Sequence, residues 1–109
     1  MDVKRGDVFF VTFDPSIGGE IKKKRPAVIV STDKANPFLN RVAVVPLSSQ
    51  VSKIYPSETK ILVLGQEHKA MADQIRTVAK QRLISKMTEI SPADMRKIEE
   101  KMQLYLEIL

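Results

Sequence analysis

Cysteine and tryptophan are both absent from this chain of 109 residues, and histidine occurs once. The missing thiols exclude disulfide bonds, thiolate catalysis and cysteine-rich zinc sites. His68 alone cannot build a metal site, and its position between Glu67 and Lys69 indicates a solvated turn residue. The carboxylates are scattered along the sequence and form no obvious ligand cluster. We therefore expect a protein without a metal ion or another cofactor.

Long apolar runs are missing as well. No segment reaches the roughly 18 apolar residues of a membrane helix, and the first residues contain no cleavage signal. The sequence shows no repeat and no low-complexity segment, and its hydrophobic fraction of 43% is ordinary for a globular protein. We expect one cytoplasmic domain spanning residues 1–109, without a membrane partner.

Positive charge is in excess. Lysine and arginine number 18 against 13 acidic residues, which gives a net charge of +5. Such an excess favours polyanionic partners, namely RNA, DNA or an acidic protein segment. Many small proteins are basic for solubility alone, so the charge by itself does not choose among these partners.

Strand patterns dominate the first part of the chain. Residues 7–15 are rich in β-branched and aromatic side chains and end at Asp-Pro, which indicates a strand and then a turn. Residues 25–31 form a continuous apolar run, which indicates a strand buried on both faces. Further strands are predicted at residues 41–49 and 59–64. Pro46 predicts an edge position or a bulge, because proline cannot donate to the ladder.

The later segments complete a mainly β architecture with one helix. Residues 65–70 are predicted as a turn, and residues 71–79 and 82–90 as a further strand pair. Ser91 is a natural N-cap before Pro92, and both begin a helix. Its apolar stripe, most simply read as core, consists of Met95, Ile98, Met102, Tyr105 and Leu109. We predict an α+β fold in which five or six strands form a small antiparallel barrel with a C-terminal helix.

Cations are concentrated on a glycine-containing loop before the second strand. Lys22, Lys23, Lys24 and Arg25 follow one another, and Pro26 holds Arg25 towards extended geometry. A guanidinium at the start of a buried strand has a defined place, and its planar donors suit a phosphate. Arg25 could instead pair with a carboxylate, and the lysines could be no more than a solvated loop.

Neutral donors follow another strand. Ser48 and Ser49 offer hydroxyls and Gln50 an amide, and they would meet Arg25 on one phosphate if the two strand ends lie side by side. The serines could also serve only to close a turn. Gln74 is predicted on a strand, on the face opposite Asp73, where it could be a satisfied half-buried amide.

Several of these segments form an ordered pattern. RGDVFFVTFDP leads to a Gly-Gly-Glu loop, then to KRPAVIVS and VVPLSSQ, and finally to ADQIRTVAKQRL and a helix. Over nearly the whole chain this order resembles the MazF/PemK family of type II toxin–antitoxin endoribonucleases. The resemblance implies an SH3-like β-barrel of the MazF/CcdB type and a homodimer. It also implies an acidic antitoxin and metal-independent cleavage of single-stranded RNA to 2′,3′-cyclic phosphate and 5′-hydroxyl ends.

The resemblance also assigns roles to residues. It places the family's catalytic arginine on Arg25 and its catalytic hydroxyl on Ser48, with Ser49 as the second choice; many relatives carry threonine there. Glu20 matches a loop acid implicated in RNA contact or proton transfer, and Gln74 a position near the substrate groove.

The remaining roles concern charge and proton transfer. We expect Lys22, Lys23 and Lys24 to attract the RNA backbone, with Ser49 and Gln50 beside it. Because a guanidinium holds its proton at neutral pH, Glu20 is the alternative to Arg25 as the base. Two other functions stay open from sequence: a CcdB-like gyrase poison and a non-catalytic RNA-binding barrel.

Overall fold

Seven strands and one α-helix account for most of the residues that the structure describes. A computed structural model describes residues 2–13, 18 and 23–109. The elements are β1 (Asp7–Thr12), β2 (Lys24–Ile29), β3 (Arg41–Ser48), β4 (Glu58–Val63), β5 (Gln66–Met71), β6 (Arg76–Ala79), β7 (Leu83–Glu89) and α1 (Pro92–Leu106). Two short 3-10 turns, Ala72–Gln74 and Lys80–Arg82, flank β6.

The strands form one bent, fully antiparallel sheet. Its order is β4-β5-β3-β2-β1-β7, and β6 pairs with the first half of β3. The bend makes the sheet a half-barrel, and α1 packs against β4. This arrangement confirms the predicted mainly β fold with a C-terminal helix.

Strand β2 confirms the prediction of a strand buried on both faces. Ala27 and Ile29 belong to one apolar core, and Val28 and Val30 belong to the other. Successive side chains of a strand point to opposite faces, so an unbroken apolar run is required when both faces are covered. The strand that carries Arg25 is therefore held firmly from both sides.

The predicted turn at residues 65–70 is wrong, because these residues form most of β5. The turn lies one position earlier, at Leu64 and Gly65, whose φ angles are 52° and 78°. Positive φ at both central positions is the geometry of a tight hairpin turn, and glycine adopts it easily. The polar residues that open β5 hide the strand from a reading of the sequence.

The strand predicted at residues 82–90 is confirmed as β7, whereas residues 71–79 form a separate strand only from Arg76 onward, and the two do not pair with each other. Ala72–Gln74 form a 3-10 turn, so Asp73 and Gln74 do not alternate on a strand. Strands β6 and β7 do form, but β6 pairs with β3 and β7 pairs with β1. Local sequence patterns do not contain these long-range pairings.

Pro46 does not mark an edge strand, because β3 is paired on both sides. Pro46 lies opposite Ala27 of β2. Val30 N donates to Ala43 O. The backbone N–H and C=O groups of the odd-numbered residues of β3 therefore point towards β2, and the backbone nitrogen of Pro46 points to the other side. On that side, the pairing of β3 with β6 stops at Val44, and its pairing with β5 starts at Leu47. The missing N–H therefore falls in the gap between two partners.

Helix α1 begins as predicted. Ser91 is the N-cap, and its Oγ accepts a hydrogen bond of 3.1 Å from Asp94 N. The apolar stripe is core only in its first half, where Met95 and Ile98 are buried. In the second half Tyr105, Leu106 and Leu109 are exposed. Within the described ranges, no helix is long and apolar enough to cross a membrane.

Asp94 also connects the helix to the edge of the sheet. Its Oδ2 accepts a hydrogen bond of 3.0 Å from Leu62 N, on edge strand β4. The carboxyl is buried, and Lys97 lies 3.5 Å from its other oxygen. The helix thereby satisfies a backbone donor that faces away from the sheet.

Candidate active site

Arg25 is the second residue of β2 and lies opposite Val11 of β1. It is half-buried, at the point where the strand passes from exposed Lys24 to the buried residues 27–30. Strand pairing fixes its backbone, and Pro26 restricts it further. The structure thus places Arg25 near the start of a strand whose following residues are buried, and its predicted catalytic role stays a prediction.

Ser48 ends β3, the neighbour of β2, and is only 7% exposed. Its Oγ accepts a hydrogen bond of 3.1 Å from Gln50 N, which closes the turn after the strand. The turn uses Ser48 as an acceptor, so the hydroxyl hydrogen can still be directed to a ligand. Ser48 can therefore both close the turn and offer a hydrogen-bond donor to a phosphate, the two roles considered from the sequence.

The two strand ends meet at one cavity. Its volume is about 410 Å³, and it is lined by Lys23, Lys24, Arg25, Pro26, Leu47, Ser48, Ser49 and His68. Five predicted site residues, three cations and two hydroxyls, are therefore brought together. None of these described lining residues is acidic, so the cavity suits an anionic group.

The backbone at the entrance of the cavity is held in an uncommon conformation. Lys23 has a φ of 60°, in the left-handed region that residues other than glycine rarely adopt. Its carbonyl accepts a hydrogen bond of 2.7 Å from Phe13 N. The buried Phe13 thus fixes the place where the cationic segment enters β2. Such local strain is often found at functional sites.

Other predicted residues lie elsewhere. Gln74 lines a separate cavity of about 420 Å³ with Asp73, Ile75, Arg76 and Thr77. Gln50 is exposed and is not part of the cavity around Arg25. Glu20 and Lys22 lie outside the described residues, so their predicted roles stay predictions.

His68 is the site residue that the sequence reading missed. It lies on β5, is half-buried and lines the cavity with Arg25 and Ser48. Its assignment as a solvated turn residue is therefore wrong. The available signal was the Leu64-Gly65 pair, which can form a hairpin turn and would have placed His68 on the following strand.

A buried ion pair supports this side of the cavity. Lys69 of β5 lies opposite Ser48 of β3. Its Nζ lies 3.0 Å from Glu58 Oε1 and donates a hydrogen bond to Lys53 O. Lys53 and Lys69 also place their ammonium groups 5.0 Å and 5.5 Å from the ring centroid of Tyr55. The loop after Ser48 is thus tied to β5, which carries His68.

Metal ligands are not grouped in the described part of the chain. No set of three or more histidine, aspartate or glutamate side chains is placed to bind an ion there. The described residues that line the cavity offer a guanidinium, two hydroxyls, two ammonium groups and an imidazole.

Residues 4–106 match the family described as PemK-like, MazF-like toxins of type II toxin–antitoxin systems. One curated relative, "Endoribonuclease MazF9" of Mycobacterium tuberculosis (strain ATCC 25618 / H37Rv), is 34% identical over 115 aligned positions, covering 97% of this chain and 98% of the relative. Another, "Endoribonuclease EndoA" of Bacillus subtilis (strain 168), is 32% identical, covering 100% of this chain and 98% of the relative.

Solved structures show the same fold. MazF from Deinococcus radiodurans matches with a TM-score of 0.85 at 22% identity, covering 97% of each chain. An endoribonuclease from a mycobacterial species, solved in complex with its cognate antitoxin, matches with a TM-score of 0.83 at 23% identity, covering 99% of this chain and 98% of the other. With the family match over nearly its whole length, this chain belongs to the PemK/MazF-like toxins of type II toxin–antitoxin systems.

Proposed function

We propose that this protein is a sequence-specific, metal-independent endoribonuclease that cleaves single-stranded RNA, including mRNA, and thereby inhibits translation and growth. Its products are a 2′,3′-cyclic phosphate and a 5′-hydroxyl. Family membership and the printed names of the two curated relatives support endoribonuclease activity. The observation that carries the chemistry is the meeting of Arg25 and Ser48, from two neighbouring strands, at one cationic cavity.

Each residue has a distinct part in this reaction. The 2′-hydroxyl of the RNA attacks the adjacent phosphorus, so the protein supplies charge stabilisation rather than a nucleophile. Arg25 donates to the phosphate oxygens as negative charge builds up, and Ser48 adds a hydrogen bond, with Ser49 at the mouth. Lys22, Lys23 and Lys24 hold the RNA backbone, and Gln50 and Gln74 extend the substrate surface. Glu20 is the alternative to Arg25 as the base that accepts the proton of the 2′-hydroxyl.

The proposed partners follow from charge and from exposed apolar groups. Family membership implies a cognate antitoxin, and the cations at the cavity suit an acidic segment that covers the RNA site. We propose a homodimer as well. The apolar side chains at the end of α1, among them Leu104, Leu106 and Ile108, are exposed in the single chain and suit burial in an interface.

The test is cleavage of a long mixed-sequence RNA in EDTA, with Arg25→Ala alongside and the product ends mapped. We expect cuts at a repeated short motif with cyclic phosphate ends. Arg25→Ala should lose about 10²–10³-fold in rate, the usual effect of removing a preorganised donor. Arg41→Ala is the matched control, because Arg41 is exposed at the opposite end of β3.

Three results would contradict the proposal. A wild-type rate in Arg25→Ala would remove the proposed chemistry. Binding of RNA without any cleavage, at protein in excess, would leave a non-catalytic RNA-binding barrel. Neither cleavage nor binding, together with inhibition of DNA gyrase, would favour the gyrase poison.

A further inference from the structure

We infer that Tyr55 is a stacking platform for one unpaired base of the RNA, beside the phosphate that Arg25 and Ser48 hold. This inference rests on the proposed ribonuclease function and adds a binding site for a base to it. Arg25 and Ser48 would contact phosphate oxygens, which single-stranded RNA and a duplex both present. A base in a duplex is enclosed by its neighbours in the stack, whereas an unpaired base can lie flat on an aromatic ring.

The alternation of side chains along the strands puts Arg25 and Ser48 on one face of the sheet. Along β2, Arg25 is on the same side as Ala27. Along β3, Ser48 is on the same side as Val44, and Ala27 and Val44 belong to the same apolar core. The pairing of Ala27 with Pro46, continued by two residues within both strands, sets Arg25 opposite Ser48. The guanidinium and the hydroxyl therefore leave adjacent strands on the same side.

A buried ion pair continues this row on the same face. Lys69 lies opposite Ser48, and residues directly opposite each other in an antiparallel sheet share a face. Glu58 lies opposite Met71, which belongs to that same core. Lys69 Nζ and Glu58 Oε1 are 3.0 Å apart, and both residues are nearly buried. The pair is therefore a fixed feature next to Ser48, on the side away from β2.

Tyr55 is attached to this ion pair. Its backbone N donates a hydrogen bond of 2.9 Å to Glu58 Oε1, and its carbonyl accepts one of 2.9 Å from Glu58 N. Lys69 Nζ donates to Lys53 O and lies 5.5 Å from the centroid of the Tyr55 ring. The Lys53 ammonium lies 5.0 Å from the same centroid. The ring is thus placed before any substrate binds, which lowers the ordering cost of binding.

The ring is also accessible to a ligand, since Tyr55 is 50% exposed. An aromatic ring beside cations is the combination with which proteins bind single-stranded nucleic acids, because every base has a π-face. Lys53 is exposed as well, and its charge suits the adjoining phosphate. The other exposed aromatic residues in the described part of the chain are Phe38, before β3, and Tyr105, on α1. Only Tyr55 lies in the loop that follows Ser48.

The experiment measures the coupling between the Tyr55 ring and each base of the substrate. The ligand is an oligonucleotide that carries the motif mapped on mixed-sequence RNA, made uncleavable by a 2′-deoxy sugar at the cut. In a set of variants of this ligand, a single abasic position moves along the motif. Each is titrated with the wild type, Tyr55→Ala and Tyr55→Phe. Phe38→Ala is the matched control, because Phe38 is an exposed aromatic residue before β3, at the other end of the strand from Ser48.

We expect Tyr55→Ala to bind the intact oligonucleotide about 10–100-fold more weakly, the usual contribution of one stacked base. Tyr55→Phe keeps the ring, and it should bind as the wild type does. At one abasic position the wild type should lose the same affinity, and Tyr55→Ala should lose nothing further, because the two changes remove one shared contact. Abasic sites elsewhere should weaken both proteins equally. Phe38→Ala should bind as the wild type does.

Three results overturn the inference while leaving the ribonuclease intact. One is wild-type affinity in Tyr55→Ala. Another is a loss of affinity that is the same with every abasic oligonucleotide, which would make Tyr55 a positioning residue of the loop. The third is an equal loss in Tyr55→Phe, which would assign the contact to the phenol hydroxyl and not to the ring. If the wild type itself does not cut RNA, the proposed function fails, and the inference fails with it.

Discussion

Ser48 combines a structural and a chemical role in one small side chain. Its Oγ accepts from Gln50 N while it is nearly buried at the end of β3. Buried polar groups are costly when they lose a partner, so the hydroxyl stabilises the turn that presents it. Ser49, the second choice from the sequence, lines the same cavity but is exposed.

This difference gives a prediction for the catalytic hydroxyl. Ser48→Ala should cleave RNA about 10²-fold more slowly, since it removes a donor at the developing charge. Ser48→Thr should retain activity because it keeps the hydroxyl. Single-turnover rates measure both effects. If Ser49→Ala proves to be the slow variant and Ser48→Ala the active one, the two serines have the opposite assignment.

A second prediction at the residue scale concerns Asp33, which does not line the cavity around Arg25. Asp33 Oδ1 accepts from Arg5 N at 2.9 Å and from Asn36 Nδ2 at 3.1 Å. The backbone hydrogen bond from Arg5, and then the amide of Asn36, lower the pKa of the Asp33 carboxyl below its usual value of 3.8. The carboxylate therefore stabilises the fold above pH 3.8, and this contribution is lost as the pH falls through the lowered pKa.

Asp33→Asn should consequently unfold at a lower denaturant concentration than the wild type at pH 7. The difference should shrink once the pH falls below the ordinary pKa of an aspartate. Denaturant titrations at a series of pH values measure it. Asp2→Asn, which changes an exposed carboxyl, is the control and should show no such trend.

Single residues were predictable where chemistry and strand ends coincide. Arg25 was found because a cation precedes an apolar run, and Ser48 because hydroxyls follow one. His68 was missed as a lining residue because its place at the cavity depends on the pairing of β5 with β3, two strands that are distant in sequence. The sequence around His68 does not show which other strand pairs with the strand that carries it.

Helix α1 is the element whose beginning the sequence defines most sharply. Ser91 caps it, and Pro92 occupies the first position, where the absent N–H costs nothing. The helix is held by its first half, since Met95 and Ile98 are buried and the later apolar residues are exposed.

Loss of the cap should therefore destabilise the protein. Ser91→Ala should lower the free energy of unfolding by about 1 kcal/mol, as is typical for an N-cap. Equilibrium denaturation at constant pH is the measurement. Ser52→Ala, at an exposed loop position, provides the comparison. Equal stabilities of the two variants would mean that tertiary packing alone fixes the start of the helix.

Elements with strong local signals were predicted, and those defined by pairing were not. Strand β2 could be predicted from its short apolar run, and the start of α1 from its N-cap and the proline after it. The order of the sheet depends instead on contacts between distant segments, such as β7 with β1 and β6 with β3. Pro46 lies where β3 changes its partner from β6 to β5. This position also depends on distant segments, so no local pattern shows it.

At the scale of the whole molecule, the net charge of +5 matters less than where the cations lie. Lys23, Lys24 and Arg25 gather at one cavity, and the described lining residues include no carboxylate to balance them. Local cations that neutralise phosphates release counterions from RNA, so they make binding depend on salt.

Replacing Lys22, Lys23 and Lys24 by glutamine should flatten this dependence. Each lost contact with a phosphate of single-stranded RNA should reduce the slope of log K against log salt by about 0.7, or about 2 for all three. Replacing Lys34, Arg96 and Lys101 by glutamine removes the same charge elsewhere and should leave the slope nearly unchanged. Equal effects from both triple variants would assign the salt dependence to overall charge.

The hydrogen bond from Leu62 N to Asp94 has a consequence for encounters between molecules. An edge strand with unpaired backbone groups invites another chain to add to it, and Leu62, which is 57% exposed, would make such an addition more favourable. Asp94 occupies that donor and places α1 against the edge. Half-unfolded molecules whose α1 has detached would expose β4, so early loss of the helix is the step at which aggregation through this edge would begin.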